Sequence, residues 1–219
     1  KTITARYSKS QRVWYDSFNS AVLVNLKDSI QFYHKVKLVP GVEHMPYPKL
    51  FGLLGNLAID LGGTSGSLGT QSESSVFTNG KEIIAPVICY ESVFGDYVSS
   101  YVRKGANLIF LVTNDGWWKD SDGYKQHCAY ASLRAIELRR GIARSANTGT
   151  SCFIDQLGNR TQSTAWWQPA VIKSTIVTND KMTFYALHGD WIGWLMSGMT
   201  LLLIISAILL SNRKEKMWA

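Results

Sequence analysis

Ile83-Ile84-Ala85-Pro86-Val87-Ile88-Cys89-Tyr90-Glu91 is the stretch on which the fold turns. Its apolar run predicts a short buried strand that ends abruptly in a thiol followed by a carboxylate. Beyond it, Val93, Phe94, Tyr97, Val98, Tyr101 and Val102 recur at helical spacing between Glu91 and Lys104, and Gly105 supplies a C-terminal stop. Ala106 to Thr113 (ANLIFLVT) predicts a second buried strand, and Asn114-Asp115-Gly116-Trp117-Trp118 a turn at its end. Tyr124 to Arg140 predicts a second helix, broken by Gly141. Two consecutive strand-loop-helix units predict a layered α/β domain whose strand ends converge on one site.

Working outward, Ser74 to Thr78, an Asn79-Gly80 turn and Lys81 to Ile88 predict a hairpin ending at the thiol, Asn-Gly being the strongest short-range turn signal. Ile3 to Tyr7, Ser20 to Asn25 and Ile30 to His34 carry strand signals, the last two joined by a Leu26-Lys27-Asp28-Ser29 turn and leading into Lys35. Pro40, Pro46 and Pro48 keep the next segment irregular, after which Lys49 to Ile59 has helical apolar spacing. Asp60 to Thr70 (DLGGTSGSLGT) predicts a flexible loop, with no Gly-Lys-Ser/Thr to make it a phosphate cradle. Its position between Lys35 and Cys89 makes it a candidate lid. Arg144 to Asn147, Ser151 to Asp155 with a Gln156-Leu157-Gly158-Asn159 turn, and Ala170 to Thr178 are expected to complete the sheets.

The 219 residues, 46% hydrophobic and 18% charged, leave room for one sizeable core and one further element. The 23 Lys and Arg give a net charge of +7 but are scattered through apolar segments, which suits anionic lipid better than nucleic acid. Cys89, Cys128 and Cys152 are too few and too widely spaced for a zinc knuckle or a disulfide framework. No metal is therefore expected, and at least one thiol stays free. Cys128 and Cys152 read as packing residues.

Trp191 to Leu210 (WIGWLMSGMTLLLIISAILL) contains no charged residue. At about 1.5 Å per residue this stretch spans roughly the 30 Å hydrocarbon core of a bilayer. Trp191 and Trp194 at one end and Trp218 near the other stand where interfacial anchors belong. The basic flank Asn212-Arg213-Lys214-Glu215-Lys216 predicts a cytoplasmic C-terminus, with the preceding domain on the outer side. The expected organisation is a domain over residues 1–188, a membrane helix over 189–211 and a basic tail over 212–219. A domain on the outer side requires export, and the chain opens at Lys1 without an export element, so its beginning is expected to lie upstream.

A cysteine thiol, with a pKa of about 8.5, becomes a useful nucleophile beside a base, a cation or a helix N-terminus. Cys89 has candidates for all three. The helix expected to start at Tyr90-Glu91 would direct amides toward the thiol, the Tyr90 amide serving an oxyanion. Lys35, ending a strand before a proline-broken loop, is the candidate cation, and Glu43 could orient it or share a proton with it. The same residues also fit a plainer role: Cys89 as a small buried hydrophobe, Lys35 and Glu43 as surface charges. Trp117 and Trp118 suit an acyl pocket or a core cap equally. His127 is a conceivable base, but as a lone helix histidine with no evident Asn or Asp partner it is expected to be structural. Asn159-Arg160-Thr161 matches a glycosylation sequon, a pattern short enough to arise by chance.

The order of YHKVKLVPGVEHMP, ICYES, TNDGWW, QH, SLRAIELRR and RSANTGTS resembles the nitrilase, or carbon-nitrogen hydrolase, superfamily. Within it the chain is similar to the C-terminal part of the bacterial apolipoprotein N-acyltransferase family, over nearly its whole length. The resemblance implies an α/β fold, the αββα sandwich, and a Glu-Lys-Cys triad. Lys35 would be the triad lysine and Cys89 the nucleophile, with Glu43, Tyr90 and Glu91 as further active-site residues and Trp117 and Trp118 beside the substrate. The family's triad glutamate belongs on a loop upstream of the Lys1 to Tyr7 strand, so no residue here can be assigned its role and this portion alone is expected to be inactive. Where the family commonly has Trp-Phe-Gly, this chain has Trp117-Trp118-Lys119.

What the resemblance implies mechanistically is acyl transfer without cofactor at the bacterial inner membrane, the domain on its outer, periplasmic side. Cys89 would take a fatty acyl chain from a phospholipid such as phosphatidylethanolamine as a thioester, Lys35 and the Tyr90 amide stabilising the tetrahedral oxyanion. The acceptor would be the N-terminal amino group of a diacylglyceryl-cysteine lipoprotein, and the enzyme a monomer. Two rivals stand beside it: a membrane-tethered amidase or nitrilase that uses water, and a membrane-anchored scaffold lacking its base.

Overall fold

The two apolar runs lie side by side. A computed structural model of the chain describes residues 6–8, 13–25, 30–44 and 68–217. Two short antiparallel ladders come first, β1 (Arg6–Ser8) with β2 (Val13–Tyr15) and β3 (Ser20–Leu23) with β4 (Gln31–His34). The centre is a six-stranded sheet in the order β10-β9-β8-β7-β6-β5. Its strands are β5 (Phe77–Asn79), β6 (Glu82–Ile88), β7 (Leu108–Thr113), β8 (Gly141–Ala146), β9 (Cys152–Ile154) and β10 (Arg160–Thr161). The inner strands β6, β7 and β8 run parallel, and the outer pairings are antiparallel. Parallel neighbours require crossovers, which α1 (Gly95–Arg103) and α2 (Asp122–Leu138) provide.

Along β7 burial follows the two-residue period of a strand, while β6 is buried on both faces from Ile84 to Ile88. Ala85 and Val87 of β6 pair with Ile109 and Leu111 of β7, and all four are buried, whereas Phe110 and Val112 on the opposite side of β7 are exposed. The buried face joins Val98, Tyr101 and Val102 of α1 and Ala131, Ala135 and Leu138 of α2 in one core. Each fully buried aliphatic side chain of that set contributes about 1.5–3 kcal/mol. Pro86 sits mid-strand without cost because its missing N–H lies on the same side as that of Ile88, where the pairing with β5 has ended at Ile84. The Ile88 N–H on that side is taken by the Glu91 side chain.

Several expected elements are corrected. The helix predicted from Glu91 to Lys104 is split: Cys89–Val93 form a 3-10 turn, Phe94 is extended, and α1 starts only at Gly95. Helix α2 ends not at Gly141 but at Arg139, which adopts the left-handed conformation, and Gly141 instead opens β8. A side chain on Gly141 would meet Ile176, since a Cβ there would lie 2.3 Å from its Cγ2. Ala170 to Thr178 is not a strand. Its backbone is held by side chains, Gln162 bonding Lys173 in both directions and Gln156 donating to the Val177 carbonyl, and Val171 is 99% exposed. The β1–β2 ladder extends the predicted first strand, and β2 and β10 were not anticipated. The Leu26–Ser29 turn, the Lys49–Ile59 helix, Trp218, and residues 60–67 of the Gly/Ser-rich loop lie outside the described residues.

After β10 the chain runs through α3 (Phe184–His188) into α4 (Trp191–Met217). Within α4, Trp191–Leu210 has a mean hydropathy of 2.1, and none of it is buried against the domain. This stretch, apolar all round and unburied, is long enough to cross a bilayer.

Candidate active site

Cys89 occupies the hinge between β6 and the 3-10 turn with φ of 51°. A non-glycine residue in the left-handed region costs on the order of 1–3 kcal/mol and persists only when its surroundings over-determine it. Here they do. The Cys89 carbonyl accepts the Ser92 hydroxyl at 2.8 Å, and the Glu91 carboxylate takes the Ile88 N–H at 2.9 Å. The thiol residue is half-buried.

Glu91 is wholly buried and is the knot of the site. One oxygen accepts from the Tyr33 hydroxyl at 2.5 Å, the Val36 N–H at 2.8 Å and the Lys37 N–H at 3.2 Å; the other holds Ile88. It thereby ties the exit of β4, on either side of Lys35, to the Cys89 turn. Burial pushes the Glu91 carboxyl above the usual carboxylate range, although its four donors pull the other way. Burial and the neighbouring carboxylate raise the Tyr33 hydroxyl too, so it remains a donor.

Lys35 is 0% exposed, and its ammonium meets Glu43 Oε2 at 2.7 Å, Glu43 being 14% exposed. Glu43 is fixed from two other sides, by Asn19 Nδ2 at 2.8 Å and the Val39 N–H at 2.8 Å. The expectation of Lys35 and Glu43 as surface charges is thereby removed: they form a buried pair whose carboxylate faces a cavity.

That cavity, of about 740 Å³, is lined by Cys89, Tyr90 and Glu43 together with Val39, Val42, Val93, Val112, Trp117, Trp118 and Tyr130. Trp117 and Trp118 are 46% and 47% exposed, so they flank an opening and do not cap a core. The lining offers mostly apolar surface, with Asn19, Asn114 and Gln126 among its polar groups. Such a space fits an alkyl chain with its reactive end at Cys89.

Sequence reasoning missed one part. His127 also lines the cavity and does have an acidic partner: its Nδ1 lies 2.8 Å from Asp115 Oδ1. Nε2 lies 3.2 Å from the Cys89 carbonyl and 3.1 Å from the Ser92 hydroxyl. Asp115 is wholly buried, bound on its other oxygen by Arg144 Nη2 at 2.8 Å and on the first by the Thr113 hydroxyl at 3.0 Å. Burial works to raise its pKa, but the hydrogen bonds and charges of His127 and Arg144 outweigh it and hold the carboxyl below the usual range. The signal was present in TNDGWW, QH and RSANTGTS, whose members meet only in the folded chain. Cys128 and Cys152 are buried away from this chemistry. A hydrogen bond from the Cys152 thiol and the adjacent Arg144 and Arg160 bring Cys128 down to about 6, and that same hydrogen bond, together with burial, raises Cys152.

A half-buried thiol on a strained hinge after a parallel strand, beside a buried Lys-Glu pair, defines a class, and the chain belongs to the carbon-nitrogen hydrolase family, which it matches over residues 2–181. Among curated proteins it is similar to the apolipoprotein N-acyltransferase of Chlorobaculum tepidum, 37% identical over 200 residues that make up 89% of this chain and 38% of the relative. It is likewise similar to the apolipoprotein N-acyltransferase of Geobacter metallireducens, 32% identical over 80% of this chain and 33% of the relative. The chain thus spans between a third and two fifths of the length of these curated relatives. An amidase from Nesterenkonia sp. shares the fold with a TM-score of 0.53 at 17% identity, over 78% of this chain and 60% of that one.

Proposed function

We propose that this chain carries the acyl-transfer centre of an apolipoprotein N-acyltransferase, with Cys89 as nucleophile. The observation that carries the proposal is that Cys89 and Glu43 line one largely apolar cavity of about 740 Å³, Glu43 holding the wholly buried Lys35. The thiolate attacks the ester carbonyl of a phospholipid, the C–S bond forms as the C–O bond breaks, and a lysophospholipid leaves with the proton. Lys35 and the Tyr90 amide meet the oxyanion, and the acyl tail lies along the valines and tryptophans. The amino group of a diacylglyceryl-cysteine lipoprotein then attacks the thioester, forming the amide and returning the thiol.

Tyr90 lines the cavity, and its ring packs edge-on against Phe94 at 5.1 Å, which supports a fixed peptide after the nucleophile. Glu43 orients Lys35, and Glu91 acts through the backbone, touching neither substrate nor thiol. In the family the triad glutamate deprotonates the cysteine, and no residue of this chain is assigned that role. α4 anchors the domain at the outer face of the inner membrane, with the basic tail inside, which brings lipid donor and lipid-modified acceptor to the same surface. No cofactor is needed.

The test is Cys89→Ala in the intact membrane protein, assayed for acyl transfer from phosphatidylethanolamine to a diacylglyceryl-cysteine peptide, with mass spectrometry of the acyl-enzyme. Acyl transfer is expected to vanish in the variant and a thioester to map to Cys89 in the wild type. Transfer by the alanine variant, or an acyl group mapped to Cys128 or Cys152, overturns the assignment. Release of free fatty acid in place of acylated peptide would favour a hydrolase.

A further inference from the structure

Resting on that acyl-transfer reading, we propose that His127, held by Asp115 and Arg144, is a positioning residue that aims and polarises the oxyanion donor of Tyr90. The Cys89 carbonyl and the Tyr90 N–H belong to one peptide unit. Because that unit is planar and trans, its N–H points opposite to its C=O. Whatever fixes the carbonyl therefore fixes the direction of the amide. Two groups fix it, the Ser92 hydroxyl of the same turn at 2.8 Å and His127 Nε2, from α2, at 3.2 Å. The Tyr90 N–H is thereby turned away from α2.

The chemistry of the contacts sets the roles. A carbonyl oxygen only accepts, so His127 Nε2 is the donor in its contact with the Cys89 carbonyl, while Nδ1 faces the Asp115 carboxylate on the other side of the ring. Ser92 spends its proton on the carbonyl and accepts from Nε2 at 3.1 Å. Asp115 cannot drift, since Arg144 and the Thr113 hydroxyl hold it within the core. A peptide whose carbonyl receives two hydrogen bonds is polarised, and its N–H becomes the stronger donor. The same two bonds also keep Cys89 at its φ of 51°. The Arg144-Asp115-His127 chain thus serves transition-state stabilisation without touching the substrate.

The experiment uses the intact membrane protein in detergent micelles with phosphatidylethanolamine bearing an isotope-labelled acyl carbonyl and no acceptor, so that the thioester accumulates. Three proteins are compared, the wild type, His127→Leu and His127→Gln, the last retaining an N–H for the Cys89 carbonyl. In a parallel assay with a diacylglyceryl-cysteine peptide added as acceptor, the leucine variant is expected to lose kcat roughly tenfold with KM within about twofold, because oxyanion contacts tighten in the transition state. Its thioester carbonyl is expected at higher infrared frequency than in the wild type, and His127→Gln should restore most of both. An unchanged carbonyl band in a folded leucine variant, or a loss confined to KM, overturns the inference. Should the leucine variant fail to fold, the glutamine variant decides: wild-type band and rate support the inference, while a folded glutamine variant as impaired as a cysteine-less enzyme overturns it. If no thioester forms on wild-type Cys89, the acyl-transfer reading itself falls and takes this inference with it.

Discussion

Replacing Glu91 by glutamine isolates what one buried carboxylate contributes. Its two oxygens serve four donors, three on Oε1 and one on Oε2. A glutamine can keep its oxygen at the Oε1 position, preserving the contacts to Tyr33, Val36 and Lys37. Its amide nitrogen then faces the Ile88 N–H, leaving one buried donor without an acceptor at a cost of about 1–3 kcal/mol. The surviving bonds also lose their charge assistance. Against this, burial already disfavours the ionised carboxylate, so neutralising it recovers part of the loss. A net destabilisation of about 2 kcal/mol follows, roughly thirtyfold in the folding equilibrium. Alanine leaves the N–H groups of Ile88, Val36 and Lys37 without an acceptor, while the Tyr33 hydroxyl keeps Tyr97, and is expected to cost at least about 4 kcal/mol, close to the total stability of a marginal domain. Urea unfolding of the detergent-solubilised protein, followed by tryptophan fluorescence, measures both. Turnover should fall more than stability does in Glu91→Gln, because the same carboxylate sets the Lys35 segment against the Cys89 turn. A glutamine variant with a wild-type unfolding midpoint, or one as unstable as the alanine variant, would refute this account.

Two further outcomes follow from buried charges. Glu43→Gln leaves Lys35 wholly buried without its carboxylate and should cost about 3–5 kcal/mol; Lys35→Met should cost less, since Glu43 is partly exposed and keeps Asn19 and the Val39 amide. Both should abolish acyl transfer, and equal unfolding midpoints for the two variants would contradict the asymmetry. Asp115 has a folded pKa below its unfolded value of about 3.9, so its contribution is present above that value and is lost as pH falls through the folded one. The melting temperature of Asp115→Asn should therefore lie below that of the wild type at neutral pH, with the gap narrowing below about pH 4; a gap constant down to the acid limit would exclude this linkage.

What the sequence determined by itself was local. Apolar runs and an Asn-Gly turn set β5, β6 and β7, helical spacing set α1 and α2, and an uncharged run set α4, because hydrophobic period and turn chemistry act over a few residues. Motif order extended this to the family and offered Lys35, Glu43, Cys89, Tyr90 and Glu91 as candidate site residues. Its errors fell where distant partners override local preference. The helix expected at Glu91 breaks at Phe94 because Glu91 is committed to Ile88, Val36, Lys37 and Tyr33, and Ala170 to Thr178 is no strand because side chains already occupy its backbone. Only the tertiary structure decided that Lys35 and Glu43 are a buried pair, that the tryptophans flank an opening, and that His127 has Asp115 and Arg144 behind it. Those facts depend on residues from separate strands and turns meeting at the strand ends, which no spacing along the chain encodes. The thiol after Ile88 was legible as a candidate nucleophile; the hinge that holds it and the peptide it aims were not.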